Sequence, residues 1–163
     1  MKELLANLTG TYGPSGNEEL IRQAIEKEIR DYVDEIRVDA LGNLIAVKSG
    51  SGKKIMLAAH MDQIGLIVTN IDENGFLRFT NVGGISPFNL IHREVIFGNG
   101  VAGTIGYETE IEDIKTLKLN KMFIDIGAGS REEAKKSVSI GDVAVYYAPM
   151  AESNGRYFGC SMD

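Results

Sequence analysis

Short apolar runs separated by glycine turns fill the chain after about residue 69, and they restrict its fold more than any other feature. The sequence contains 19 glycines among 163 residues, and the runs between them have the length of β-strands. One helix, predicted over 130–137, interrupts them and begins with a capping box formed by Ser130 and Glu133. This pattern predicts a compact β-barrel or β-sandwich. The predicted strands cover 76–80, 93–97, 100–106, 122–126 and 142–148.

The chain before residue 69 mixes helices with strands. An apolar stripe at helical spacing predicts a helix over 15–33, with a second capping-box pattern at Ser15 and Glu18. A short helix is predicted before it, over 3–8. Strands are predicted over 36–40, 44–48, 55–59 and 64–71, and the change of pattern predicts a domain boundary near 68–70. The fold class is therefore α/β, with a mostly-β second region.

The apolar run at 55–59 leads directly into His60, and Asp62 follows two residues later. We expect a buried strand that delivers the imidazole to its carboxyl end, where open α/β sheets place their ligand sites. Asp62 would orient the ring, as a carboxylate does for a metal-bound histidine. A lone histidine at a strand end is more often structural or solvated, so these residues alone leave both interpretations open.

Other candidate residues favour simpler interpretations. His92 lies in a loop that leads into a strand, and we interpret it as a surface residue. Cys160 has no Cys-x-x-Cys partner, which argues against a thiolate zinc site. Asp163 is the last residue, and a terminal aspartate is usually solvated. No G-x-S-x-G motif supports a serine hydrolase.

Composition and charge restrict the partners. The hydrophobic content of 44% and charged content of 25% are those of an ordinary soluble globular protein. The net charge of -6, without blocks of like charge, argues against nucleic acid as a partner. No apolar run is long enough to span a membrane. The N-terminus does not resemble a signal peptide, and the single cysteine fits a reducing environment, so we expect a cytoplasmic protein.

Several motifs, taken together, resemble the glutamyl/deblocking aminopeptidase family. These enzymes are dinuclear-metal exopeptidases that build tetrahedral shells, and some are labelled cellulase M or endoglucanase. The motifs occur in the family's order and extend from the N-terminus to residue 163. They are YGPSGNE at 12–18, DALGNL at 39–44, AAHMDQIG at 58–65, VGG at 82–84 and FIDIGA at 123–128.

The resemblance implies a domain arrangement. Residues 1–68 would form the first part of an α/β metallopeptidase catalytic domain. Residues 69–158 would form an inserted, mostly-β, barrel-like domain that mediates dimerisation. Residues 159–163 would re-enter the catalytic domain, where the chain is truncated.

The resemblance also implies a metal site for two divalent ions, zinc or cobalt. His60 is similar to the family's first-metal histidine, Asp62 to the catalytic carboxylate that holds it, and Asp163 to the aspartate that bridges the metals. Cys160 and Ser161 depart from the family's lysine and alanine at this motif. The family's further ligands and its glutamate general base lie downstream of the bridging aspartate. We therefore expect residues 1–163 to be inactive and to bind metal weakly or not at all on their own.

The resemblance favours an aminopeptidase that removes N-terminal residues from peptide substrates and self-associates through its β-rich domain. A non-catalytic assembly module is the first alternative. A glycoside hydrolase is the last, because it needs two carboxylates that flank a sugar cleft. The clustered acids are instead typical of a solvated loop or short helix; they are Glu110, Glu112 and Asp113.

Overall fold

The computed structural model describes residues 1–108 and 113–162, and this part of the chain contains three α-helices and ten β-strands. The helices are α1 (Lys2–Gly10), α2 (Glu19–Ile29) and α3 (Arg131–Ala134). The strands are β1 (Glu35–Val38), β2 (Leu44–Val47), β3 (Gly65–Ile71), β4 (Leu77–Val82), β5 (Glu94–Phe97), β6 (Ala102–Tyr107), β7 (Met122–Asp125), β8 (Val143–Tyr146), β9 (Ala151–Ser153) and β10 (Arg156–Phe158). No helix in these ranges is both long and apolar enough to cross a membrane.

Six strands form a closed antiparallel barrel in the order β3-β4-β7-β6-β5-β8, and β8 pairs again with β3. Side chains alternate between the two faces of each strand, so every second residue enters the core. On β4, for example, Leu77 and Phe79 are buried while Arg78 between them faces outward. The predicted β-barrel is confirmed, and each of the strands predicted after residue 69 is present within a residue or two of its expected bounds.

The centre of the barrel is apolar and closely packed. Leu77 and Ile124 face each other across β4 and β7, and both are completely buried. Burying an aliphatic side chain of this size contributes about 1.5–3 kcal/mol. The fully buried side chains around them include Leu66, Ile71, Leu90, Ile105 and Met122.

Local turn chemistry fixes the barrel's register. Asp72 Oδ1 accepts hydrogen bonds from the backbone N–H of Asn74 at 3.1 Å and of Phe76 at 3.0 Å. Gly75 completes this turn with a φ of 88°, a conformation that favours glycine. Ser130 caps α3 by accepting a bond from the Glu133 backbone N–H at 3.2 Å, so the predicted capping role of Ser130 is confirmed, although α3 is shorter than the helix predicted over 130–137.

The barrel begins at Gly65, whereas the sequence predicted a boundary near residues 68–70. That boundary falls inside β3, because Leu66 and Ile67 already pair with Ala144 and Val143 of β8. The hydrophobic pattern of β3 continues from the preceding segment without a turn signal, so the sequence has no sharp mark of where the barrel begins.

The region before the barrel contains α1, α2 and the β1–β2 hairpin, as predicted. The helix predicted over 15–33 is shorter at both ends: α2 spans Glu19–Ile29, a short 3₁₀ turn follows it, and no side chain caps its start. The predicted capping box at Ser15 and Glu18 is therefore wrong. The Ser15 hydroxyl bonds to Asp62 instead, and the Glu18 carboxylate accepts the Gly16 backbone N–H.

The apolar run at 55–59 is not a buried strand, so that prediction is wrong. Ile55, Met56 and Leu57 are 85%, 88% and 93% exposed. A strand needs a neighbouring strand to satisfy its backbone hydrogen bonds, and no described strand lies beside this run. β1 and β2 pair only with each other.

Candidate functional site

The loop before α2 holds the segment that carries His60 and Asp62. The backbone N–H of Ser15 donates to the Gln63 carbonyl at 3.2 Å, and the Gln63 N–H donates to the Gly13 carbonyl at 3.0 Å. The Gln63 side-chain amide donates to the Thr11 carbonyl at 3.2 Å. Residues 62–63 are therefore fixed by a short parallel bridge, although the run before them is not a strand.

The same loop is attached to the barrel. The Tyr12 hydroxyl donates to the Val143 carbonyl of β8 at 2.9 Å. Gly65 permits this close approach, because a Cβ there would lie 2.7 Å from the Val143 side chain and 3.3 Å from that of Pro14. These contacts with β8 hold the segment that bears the candidate site against the barrel.

Asp62 contacts the imidazole of His60, as the sequence predicted. Asp62 Oδ1 lies 3.2 Å from His60 Nδ1, and the Asp62 carbonyl oxygen lies 3.0 Å from the same nitrogen. Two acceptors on one side of the ring favour a proton on Nδ1. They also orient the ring so that its other nitrogen, Nε2, faces away from Asp62. This is how a carboxylate prepares a histidine for a metal ion.

Ser15 holds the other oxygen of that carboxylate. Its hydroxyl donates to Asp62 Oδ2. This bond is the largest cause of a lowered pKa for Asp62. Burial is the next largest effect and raises the pKa, while the contact with His60 adds a smaller lowering. Asp62 therefore remains a carboxylate at neutral pH, and it acts as an acceptor towards both Ser15 and His60.

A cavity of about 380 Å³ opens beside this group. The Ser161 hydroxyl donates to Gln63 Oε1 at 2.8 Å, which brings the C-terminal segment to the same place. Cys160 also lines the cavity. The residue pattern argued only against a thiolate zinc site there, whereas the family resemblance predicted that residues 159–163 return to the catalytic domain. The lining residues are Ser15, His60, Asp62, Gln63, Ile64, Gly83, Tyr146, Cys160 and Ser161.

The remaining candidates lie elsewhere. His92 is an exposed turn residue whose ring centroid is 6.0 Å from that of Tyr107, and it does not line this cavity. The surface interpretation of His92 is confirmed. Asp163 lies outside the described residues, although Ser161 near it in the chain is at the cavity. Glu110 and Glu112 also lie outside the described residues.

The donor set fits part of a metal site. A histidine held by a carboxylate at Nδ1 suits a divalent ion such as zinc. In residues 1–108 and 113–162, no group of three His, Cys, Asp or Glu side chains could hold an ion. Further ligands would have to come from outside these ranges.

The chain matches known proteins over most of its length. Residues 42–163 match the family model for M42 glutamyl aminopeptidase. A putative aminopeptidase of Acetivibrio thermocellus is 62% identical over 146 residues, which cover 90% of this chain and 44% of that protein. The chain thus spans less than half the length of this curated relative.

Solved structures share the fold. A crystal structure described as an endoglucanase of Thermotoga maritima matches with a TM-score of 0.87 and 38% identity, over 98% of this chain and 49% of that one. The TET1 peptidase of Pyrococcus horikoshii matches with a TM-score of 0.82 and 40% identity, over 94% of this chain and 48% of that one. That peptidase can assemble into a tetrahedron or a large octahedral shell.

Proposed function

This chain belongs to the M42 glutamyl aminopeptidase family, and on that premise we propose that it forms one side of a metal-dependent aminopeptidase site that removes N-terminal residues from peptides. The carrying observation is the chain of contacts from Ser15 through Asp62 to His60 at the wall of a cavity. In this arrangement one carboxylate oxygen accepts from a hydroxyl and the other contacts a histidine. Such a carboxylate fixes the orientation of an imidazole that binds a metal ion.

We assign roles to the residues of this site as follows. His60 would bind a divalent ion, zinc or cobalt, through Nε2. Asp62 would hold the ring, and Asp163 would bridge this ion to a second one. When bound, the ions would polarise the peptide carbonyl and lower the pKa of a water molecule. The remaining ligands and the general base would come from outside the described residues, so residues 1–163 alone are not expected to be catalytic.

The barrel suggests a role in assembly. A closed barrel is a self-contained unit, and here it begins at Gly65 and is joined to the site by the contacts of Tyr12 and Gln63. We propose that copies of the protein associate through this β-rich region, which we place at about 65–158. The assembly of the Pyrococcus horikoshii relative supports this proposal. The single cysteine supports a cytoplasmic location.

A glycoside hydrolase is the weaker alternative. The name of the Thermotoga maritima relative suggests it. Glycosidases use two carboxylates that flank the bond to be cleaved. Among the described residues, Asp62 is the one carboxylate that lines the cavity, and it is already bonded to Ser15 and His60.

The decisive experiment compares the two histidines in the naturally expressed protein. Amino-acid release is measured from peptides with free and with acetylated N-termini, after metal removal and after addition of zinc or cobalt. We expect cleavage of unblocked peptides only, restored by metal. His60→Asn should remove most of the metal-restored rate, because the ion would lose a protein ligand, while His92→Asn should retain that rate. Asparagine tolerates the positive φ of 56° at residue 92.

Two outcomes would contradict the proposal. Full activity of His60→Asn would show that His60 is not a ligand of the catalytic metal ions. An assembled protein that binds metal yet releases no amino acid from any peptide would favour the non-catalytic assembly module.

A further inference from the structure

We propose that Arg93 forms a carboxylate-binding subsite for the peptide substrate, in a groove that adjoins the His60–Asp62 cavity. This inference rests on the proposed aminopeptidase function. It concerns which peptides bind and how they are oriented, and it assigns Arg93 a role in binding and positioning.

The groove adjoins the cavity beside His60. Its volume is about 540 Å³, within the ~300–1,000 Å³ typical of ligand sites. Ile64, Tyr146 and Cys160 line both spaces. We infer that a substrate extending from the His60 cavity along this shared wall reaches the groove that contains Arg93.

The walls of the groove suit a peptide. Its lining combines apolar side chains with a few polar groups, as in most small-molecule sites. The larger apolar residues include Ile64, Ile85, Pro149 and Phe158, and the polar ones include Ser86, Asn89 and Arg93. Arg93 is the one charged residue among the described residues that line this groove.

The backbone of Arg93 is fixed where β5 begins. Its N–H donates to the Leu90 carbonyl at 3.0 Å, and its carbonyl accepts from the Ile105 N–H at 2.9 Å. The guanidinium is held through Nε, which donates to the Asn89 carbonyl at 3.2 Å. The guanidinium is thereby anchored through Nε, and its two terminal NH₂ groups take no part in this bond.

Arg93 differs from most arginines of this chain because no described acidic side chain forms an ion pair with it. The arginines that do pair with an aspartate or glutamate are Arg22, Arg30, Arg37, Arg78 and Arg131. Arg156 resembles Arg93 in being exposed and without an ion pair among the described residues, but it does not line the groove. It provides a matched control.

The charge of Arg93 acts inside the groove. Burial raises the pKa of Tyr146, and the positive charge of Arg93 opposes that rise. Tyr146 lines both the groove and the His60 cavity. Arg93 is therefore close enough to the shared wall for its charge to act on Tyr146.

An unpaired guanidinium in a cleft is suited to a carboxylate, which it can bind through two parallel hydrogen bonds. A peptide offers two sources of that group: an acidic side chain and the C-terminal carboxylate. Their chemistry at Arg93 is the same, so experiment has to separate them.

The test measures binding of uncleavable peptides, with a reduced first peptide bond, to the naturally expressed protein by titration calorimetry. Four peptides are compared. They carry either glutamate or glutamine at one and the same position, and each of these two sequences is made with a free and with an amidated C-terminus. We expect one carboxylate to strengthen binding by about tenfold to a hundredfold. The position at which its removal weakens binding identifies the source.

The variants decide whether Arg93 is responsible. Arg93→Gln should abolish the preference for the carboxylate peptide and leave the neutral peptide's affinity unchanged. Arg93→Lys should keep part of the preference, and Arg156→Gln should keep all of it. Thermal melts of each variant check that it is folded.

Each outcome is decisive. An undiminished carboxylate preference in Arg93→Gln, equal weakening of all four peptides, or no preference in the wild type would overturn the inference. Cleavage of the matching normal peptides is measured in parallel. Arg93-dependent binding without cleavage would contradict the proposed aminopeptidase function but support the Arg93 subsite. Cleavage without any dependence of binding on Arg93 would support the aminopeptidase function but contradict the subsite.

Discussion

The hydroxyl of Ser15 donates to one oxygen of Asp62, and the other oxygen of Asp62 contacts the imidazole of His60. The loop before α2 therefore determines the position of a carboxylate far from it in sequence. Because the loop is itself bonded to β8 through Tyr12, the orientation of His60 depends on the barrel as well as on its own segment.

Removing the Ser15 hydroxyl should weaken metal binding at His60. Ser15→Ala leaves Asp62 with one partner fewer, and loss of such an outer contact typically reduces metal affinity or activity by about 10–100-fold. Ser15→Thr keeps the hydroxyl and should retain most of the affinity. The affinity is measured on the naturally expressed protein by competition with a coloured chelator. Ser51→Ala, at an exposed loop serine, is the control, and equal affinities for Ser15→Ala and Ser51→Ala would exclude the positioning role.

Residues 1–163 on their own should bind zinc weakly. Zinc sites normally use three or four protein ligands, whereas the described residues contain no group of three suitable side chains. Zinc content is measured after dialysis against a weak chelator, and we expect less than one equivalent to remain. Stoichiometric zinc that survives dialysis and is lost in His60→Asn would show that the ligand set is more complete than we propose.

Truncating the barrel core should destabilise the fold. Leu77→Ala and Ile124→Ala each remove a completely buried side chain, and changes of this kind cost about 2–5 kcal/mol. The free energy of unfolding is measured by denaturant titration. Leu41→Ala, at a leucine that is 89% exposed, should change it by less than about 0.5 kcal/mol. Equal effects at buried and exposed positions would contradict the barrel core.

Stability should fall in acid because of Glu108. Hydrogen bonds from Lys121 and Arg78 lower its pKa below the ordinary value of 4.5. Since the pKa of Glu108 is lower in the folded state than in the unfolded state, its ionised carboxylate stabilises the fold. This contribution is complete above the pKa of the unfolded state and is lost as the pH falls through the pKa of the folded state. Glu108→Gln should therefore flatten the decline in stability below about pH 4.5. Glu132→Gln, on the exposed side of α3, should leave the decline as it is in the wild type.

The exposed run at 55–57 should promote self-association of the 163-residue chain. Adjacent large apolar side chains on a surface favour contact with other molecules, and these three are almost fully exposed. We expect light scattering after size exclusion to show species larger than a monomer. A double change, Ile55→Ser with Leu57→Ser, should reduce their proportion, whereas Ile140→Ser at an exposed barrel loop should not. A monodisperse wild-type monomer would be the opposite result.

The barrel was predictable because its signals are local. Alternating burial and turn residues such as Asp72 and Gly75 specify strands and their ends without knowledge of distant neighbours. The β9–β10 hairpin carries a signal of the same kind that the sequence analysis did not use. Asn154 and Gly155 form an Asn-Gly pair, and both have the positive φ that a tight hairpin requires.

The site was only partly predictable, because its remaining features depend on long-range contacts. His60 and Asp62 are close in sequence, so their contact could be expected. The Ser15 hydroxyl can either cap the following helix or bond to Asp62. The local sequence pattern favours the cap, so the bond to Asp62 could not be predicted from it. The run at 55–59 has the composition of a buried strand, but composition does not provide the neighbour that a strand needs.

The join between β4 and β7 has a consequence for how the barrel moves. Its register contains one paired position, Leu77 with Ile124, whereas β3 and β4 are paired along most of their length. Arg78 on β4 reaches Glu108, and Glu108 also binds Lys121 beside β7, so side chains bridge the place where backbone pairing is sparse. Transient opening of the ring should therefore start here. In isotope exchange, amides along this join would take up deuterium before those between β3 and β4, and acid that protonates Glu108 would widen the difference.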